Sequence, residues 1–168
     1  MKNKTLIILL IILIGAFSRI IPHPPNFTAI GAISILGGLY FNKKHLAFII
    51  PITAMILSDF ILGYKPIISV YIAFLLIIPI GINIRKRLTH TSIFKASIYA
   101  SILFFLITNF TSWLYNPMYP QNLSGLIMSY TAGIPFLMNT LLGNLFFCFS
   151  LFGLYELISK KKFIYINS

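Results

Sequence analysis

Asp59 and Glu156 are the only acids among the 168 residues of this chain, against thirteen Lys and Arg and a net charge of +11. Asp59 sits in the apolar string Met55-Ile56-Leu57-Ser58-Asp59-Phe60-Ile61-Leu62. A carboxylate in such a setting is costly in lipid, so it finds a partner or lines a polar cavity. Arg19, at the end of the first apolar run, is the one cation expected at a similar depth. An Arg19–Asp59 pair would neutralise both charges where the dielectric is low. Two readings are open for it: a pair that gates or orients a substrate, or an ion pair that locks two helices together.

A second set of polar groups falls at the same predicted level. Asn109 and Trp113 are four apart and share a helical face. Asn139 and Asn144 follow in the last apolar region, and the loop residues His23 and Asn26 cap the same side. Amides offer donors and acceptors together, and an indole offers a stacking face, which suits a small polar or heteroaromatic ligand. Asparagine also ties membrane helices to one another, and tryptophan anchors at interfaces, so each residue has a structural reading as well. The expected substrate-binding set is Arg19, His23, Asn26, Asp59, Asn109, Trp113, Asn139 and Asn144.

Enzymatic chemistry is not legible. There is no HExxH, GxSxG or phosphate-loop pattern, and no nucleophile with a base at readable spacing. The expectation is a non-enzyme without cofactor or metal. Cys148 lies alone in an apolar run and reads as a packing residue. Glu156 and Lys160, four apart, read as a local helical ion pair.

The elements that must position these residues follow from composition. The chain is 58% hydrophobic and 9% charged. Its continuous apolar runs approach the roughly 17–25 residues that cross a hydrocarbon core as a helix. This predicts an all-α membrane protein, with a single domain 1–168 forming a compact bundle of six transmembrane helices. The spans are 5–21, 27–41, 46–62, 66–84, 94–114 and 135–158. The last apolar region is too long for one span, and Pro135 is expected to divide it, leaving a short re-entrant or interfacial helix before the sixth span.

The bases fix an orientation. With the N-terminus inside, Lys2, Lys4, Lys43, Lys44, Arg85 to Arg87, Lys95 and Lys160 to Lys162 are cytoplasmic, and only Arg19 and Lys65 are outside. Cytoplasmic loops carry such an excess, so both termini are expected in the cytoplasm and Asp59 near the outer boundary. The same distribution excludes nucleic acid as the partner of the positive charge. The Arg85-Lys86-Arg87 run would also attract anionic headgroups. Small-residue steps at Ala96/Ala100, Ser97/Ser101 and Ser34/Gly38 let helices approach closely, within the chain or against a partner.

Several strings together carry a resemblance. They are Arg19-Ile20-Ile21-Pro22-His23-Pro24-Pro25-Asn26-Phe27-Thr28, Gly37-Gly38 with Tyr40-Phe41, Ser58-Asp59 with Leu62-Gly63, Thr108-Asn109-Phe110 with Trp113, and Asn139-Thr140-Leu141-Leu142-Gly143-Asn144. The chain resembles a bacterial family of small uncharacterised integral membrane proteins that is similar to the substrate-binding S components of energy-coupling-factor (ECF) transporters. It departs from that family at Asn144, where an acid is frequent, and at Lys65, where His is frequent. The resemblance implies a multi-pass protein of the inner (plasma) membrane that binds a vitamin or similar micronutrient from outside. It also implies an ECF coupling subunit and ATPases as partners. The Ala-x-x-x-Ala step such proteins use for coupling is missing from the first span and occurs at Ala96 and Ala100 of the fifth.

The expected function is therefore capture of a small-molecule substrate for uptake from within the lipid bilayer. The alternative is a non-transporting assembly or scaffold protein of the cell envelope, with the Ala96/Ala100 and Ser34/Gly38 faces as its partner surfaces.

Overall fold

The structure is a computed structural model that describes residues 16–41 and 44–159, together with Leu10 and Leu13. The described residues are helical, without strands. Five α-helices follow in order: α1 Ile30–Tyr40, α2 Lys44–Leu62, α3 Ile68–Ile84, α4 His90–Tyr115 and α5 Leu123–Ser159. A 3-10 turn, Arg85–Arg87, joins α3 to α4. Most of the expected first span 5–21 lies outside the described residues, as do Lys2, Lys4, Lys43 and Lys160 to Lys162. The expected spans 27–41, 46–62, 66–84 and 94–114 each correspond to one helix.

Among the described residues, four stretches are long and apolar enough to cross a membrane: His45–Leu62, Ile68–Arg87, His90–Tyr115 and Leu123–Leu157. Their outward faces expose large apolar side chains, among them Phe60, Ile68 and Leu157. A soluble monomer rarely exposes so much contiguous apolar surface, whereas lipid tolerates it.

The short α1 is buried from Ile30 through Leu39 and touches all four other helices. Ten consecutive buried residues explain its composition, because only a helix surrounded on all sides is apolar all round. Its glycines set how closely the neighbours come. Gly38 lies against the Ile78 carbonyl of α3, and Gly81 of α3 lies against the Ile35 carbonyl of α1, with no room for a β-carbon at either position.

The small-residue steps are internal. Ala96, Ser97, Ala100, Ser101 and Ser34 are all buried, and Gly38 is buried against α3. They pack the chain against itself, which removes them as the partner surfaces of a scaffold and as an outward coupling face.

Three helix ends are set by specific contacts. α2 stops at Gly63, whose φ of 68° is left-handed; this lets the Tyr64 amide reach back to the Asp59 carbonyl at 2.9 Å, a glycine-ended helix stop. α4 starts with a capping box, Thr89 and Ser92 exchanging side-chain to backbone bonds of 3.0 and 2.9 Å. At the C-terminus of α1, where carbonyls lack helical partners, the Arg85 guanidinium donates to the Gly38 carbonyl and to that of Phe41 at 2.6 Å. The sequence assigns Arg85 to topology and headgroups; in the fold it caps a buried helix end.

One expectation is corrected. Pro135 does not divide the last apolar region: α5 is a single helix of 37 residues with Pro135 inside it. Proline removes one ladder bond, but the helix on its N-terminal side is held by α4. Tyr130 donates to the Leu106 carbonyl at 2.9 Å, Ser129 to that of Asn109 at 3.3 Å, and Gly133 packs on the Asn109 side chain. The segment expected to be re-entrant is the N-terminal arm of α5, at the turn of an α4–α5 hairpin.

Candidate functional site

Arg19 enters the site from a turn that follows helical Ala16 and Phe17, closed by Arg19 N–H to the Ala16 carbonyl at 3.2 Å. Its neighbour Ser18 accepts from the Ala29 amide at 3.1 Å, which ties this turn to the start of α1. Pro22, Pro24 and Pro25 then force an irregular return, with Asn26 in the left-handed region at φ 65°. Phe27 anchors that loop between Phe146 and Phe147, with ring centroids 5.9 and 5.7 Å away. Gly143 of α5 gives the Phe27 backbone its close approach.

Asp59 sits on the last turn of α2, held by the Gly63 stop. Arg19 Nη1 donates to Asp59 Oδ1 at 2.6 Å, and the same nitrogen lies 2.7 Å from Ser58 Oγ and 3.2 Å from Met55 Sδ. Tyr71 of α3 donates its hydroxyl to Asp59 Oδ2 at 2.6 Å. Both carboxylate oxygens thus carry a strong donor, which is what a carboxylate only 5% exposed requires.

The pair also forms part of a wall. A cavity of about 470 Å³ opens beside it, bounded by the loop at His23 to Thr28, the ends of α2 and α3, and the middle of α4 and α5. Arg19, His23, Asn26, Asp59 and Lys65 give the polar part of its lining, and Val70, Phe74 and Phe104 give an apolar part. The Phe74 and Phe104 rings pack at 5.1 Å. Asn144, 2% exposed, lies against Gly31 and donates to Ser101 Oγ at 2.9 Å; it and Thr140 bring α5 into the lining.

Of the eight expected site residues, five line this cavity: Arg19, His23, Asn26, Asp59 and Asn144. Three do not. Asn109 donates to the Phe105 carbonyl of its own helix at 2.8 Å and packs on Gly133 at the α4–α5 crossing. Trp113 donates its indole N–H to the Pro120 carbonyl at 3.0 Å, and its own carbonyl accepts from Gln121 at 2.6 Å, so it staples the turn between α4 and α5. Asn139 is half-buried on α5, away from the lining.

Two contributors escape sequence reasoning. Tyr71 reads as an ordinary span residue, and Lys65 as an outer base and a departure from the family. The available signal is the hairpin: Asp59 and Tyr71 each lie within about a turn and a half of Gly63–Pro66, so antiparallel helices bring them to one depth. Among the described residues, Lys65 has no acidic partner within ion-pair distance.

Fold and site together define an all-helical protein with, among the described residues, four helices of membrane-crossing length and a polar-rimmed cavity. The chain belongs to the Family of unknown function (DUF6580), whose model matches residues 1–166. No curated protein and no solved structure is significantly similar to it.

Proposed function

We propose that this protein is a membrane-embedded substrate-capture protein, akin to the S components of ECF transporters, that binds a small polar or heteroaromatic micronutrient for uptake. In this reading it spans the plasma membrane six times with both termini cytoplasmic, and the cavity takes its ligand from the outer face. Coupling to a membrane subunit and ATPases would supply the energy, since the chain carries no nucleotide-binding pattern of its own.

The cavity carries the reading. Its volume of about 470 Å³ lies within the range of small-molecule sites, which join apolar walls to a few placed polar groups. A purely structural ion pair would need neither the space beside it nor the buried amide of Asn144 on its far wall.

A thermal-shift screen of the purified protein in detergent, against vitamins and nucleobases, tests the proposal. At least one compound should raise the melting temperature. Asn144→Ala, in the lining, should weaken that compound's binding roughly tenfold, about the worth of one polar contact to a buried group. Trp113→Ala, outside the lining, should leave its affinity unchanged. A well-folded sample that no compound stabilises would refute the capture reading.

A further inference from the structure

We infer that the ligand of this cavity is a small organic monoanion, an aromatic or heteroaromatic carboxylate, and that Arg19 and Lys65 receive its acid group. The inference rests on the capture reading and adds the ligand's charge and shape.

The charge follows from counting. Among the described residues, Arg19 and Lys65 line the cavity against a single acid, Asp59, which leaves one positive charge in excess. Asp59 has a donor on each oxygen, Arg19 on one and Tyr71 on the other, and is poorly placed to attract a cation. Lys65 is exposed at the mouth and has no acidic partner among the described residues.

The hydrogen-bonding geometry agrees. All the bonds the Arg19 guanidinium makes to described residues run through Nη1, to Asp59, Ser58 and Met55. The edge formed by Nε–H and Nη2–H carries none of them. That edge presents two parallel donors at the spacing of a carboxylate's two oxygens. The ion pair with Asp59 therefore orients the guanidinium and leaves its bidentate side free of described residues. A doubly charged phosphate monoester fits the same edge, but a monoanion matches the single excess charge.

The body of the ligand follows from the opposite wall. Phe74 and Phe104, packed on each other, add aromatic surface to the lining, which favours a flat apolar skeleton. The Asn144 side-chain oxygen packs beside Gly31, which also lines the cavity, and accepts from no group among the described residues, while its amide nitrogen makes the bond to Ser101. A ring N–H or amino group on the ligand would satisfy it.

The test pairs acids with their neutral amides: benzoate with benzamide, nicotinate with nicotinamide, 4-aminobenzoate with 4-aminobenzamide, and indole-3-acetate with its amide. The cation 3-(aminomethyl)pyridine is added for the opposite charge. Binding to the full chain in detergent is measured by calorimetry at low salt and at high salt. We expect at least one acid to bind and its amide to bind at least tenfold more weakly. Lys65→Gln, at an exposed position that leaves the fold intact, should weaken that acid several-fold and flatten its salt dependence. Arg19→Lys keeps the charge beside Asp59 but loses the fork, and should weaken the acid further while nicotinamide-type neutrals are unchanged. Amides or the cation binding as well as the acids would overturn the anionic assignment and leave the capture reading standing. An acid whose affinity ignores Lys65→Gln and Arg19→Lys would also overturn it. If no acid binds but the vitamin and nucleobase screen yields a neutral ligand, only this inference fails; if neither set binds, both fail.

Discussion

At the residue scale the decisive group is Asp59, whose two oxygens tie three segments together. Arg19 comes from before α1, Asp59 from α2 and Tyr71 from α3. Removing one member of a buried charge pair strands the other, at a cost of about 3 kcal/mol. Asp59→Asn should therefore destabilise by about that amount, read from unfolding in detergent. Because most of that loss is the stranded guanidinium, the double variant Asp59→Asn/Arg19→Met should recover a large part of it. A double variant no better than the sum of its singles would deny the coupling. Tyr71→Phe deletes one bond to the carboxylate and should cost about 1–2 kcal/mol, more than for a neutral acceptor. Asp59 and Arg19 are legible because a charge inside an apolar run is conspicuous without any structure. Asn109 and Trp113 fall outside the lining, which the sequence does not reveal because amides and indoles serve packing and ligands alike and the placement of Gly133 and Pro120 is tertiary. Tyr71 is invisible for the opposite reason, since a tyrosine in a membrane-like helix draws no notice until its partner is known.

At the element scale, α1 and its contacts hold the bundle together. α1 has only 11 residues, about 16 Å at helical rise, so its end groups lie inside the fold and need partners. Arg85 supplies them by reaching the Gly38 and Phe41 carbonyls. Arg85→Gln should cost about 1–3 kcal/mol, the range for a charged hydrogen bond at buried acceptors. Lysine at this position should restore only part, since it lacks the planar fork. The glycines give a sharper contrast. A methyl group at Gly38 would strike the Ile78 carbonyl and the Ile82 nitrogen, backbone atoms that cannot swing away; Gly38→Ala should cost about 1–3 kcal/mol through forced separation of α1 and α3. At Gly153 a β-carbon meets nothing within 4 Å, so Gly153→Ala should be neutral or stabilise by up to about 1 kcal/mol through helix propensity. Thermal unfolding of the two variants side by side checks both. Four of the helices are legible from apolar runs bounded by Pro, Gly and bases. The continuity of α5 is not. Proline's local penalty can be read from sequence, while the packing of α4 along Ser129, Tyr130 and Gly133 that offsets it belongs to the tertiary fold.

At the scale of the whole molecule, helix lengths and charge place the cavity. From the Phe74–Phe104 contact, α4 runs eleven residues to Tyr115 and α3 only six to Ile68. At about 1.5 Å per residue α4 ends about 8 Å beyond the start of α3, so the α4–α5 side of the cavity is built on the longer helix. The Arg85–Arg87 turn lies at the opposite end of α3 from Lys65 and carries the dense positive charge. If basic loops stay cytoplasmic, the cavity mouth faces out, which the proposed capture of an external ligand demands. Single cysteines make this measurable. Cys148 is buried, and Cys148→Ala gives a silent background. Lys65→Cys and Met118→Cys, both exposed, should react with an impermeant maleimide added to intact cells. Lys86→Cys, exposed on the 3-10 turn, should react only after the membrane is opened. The short connection between α3 and α4 makes those helices antiparallel, so positions 65 and 118 must share one side whatever the orientation. Labelling at 86 before lysis, with 65 and 118 protected, would invert the topology and turn the cavity toward the cytoplasm. Uptake by capture from outside would then be excluded, even with the Arg19–Asp59 pair and its cavity intact.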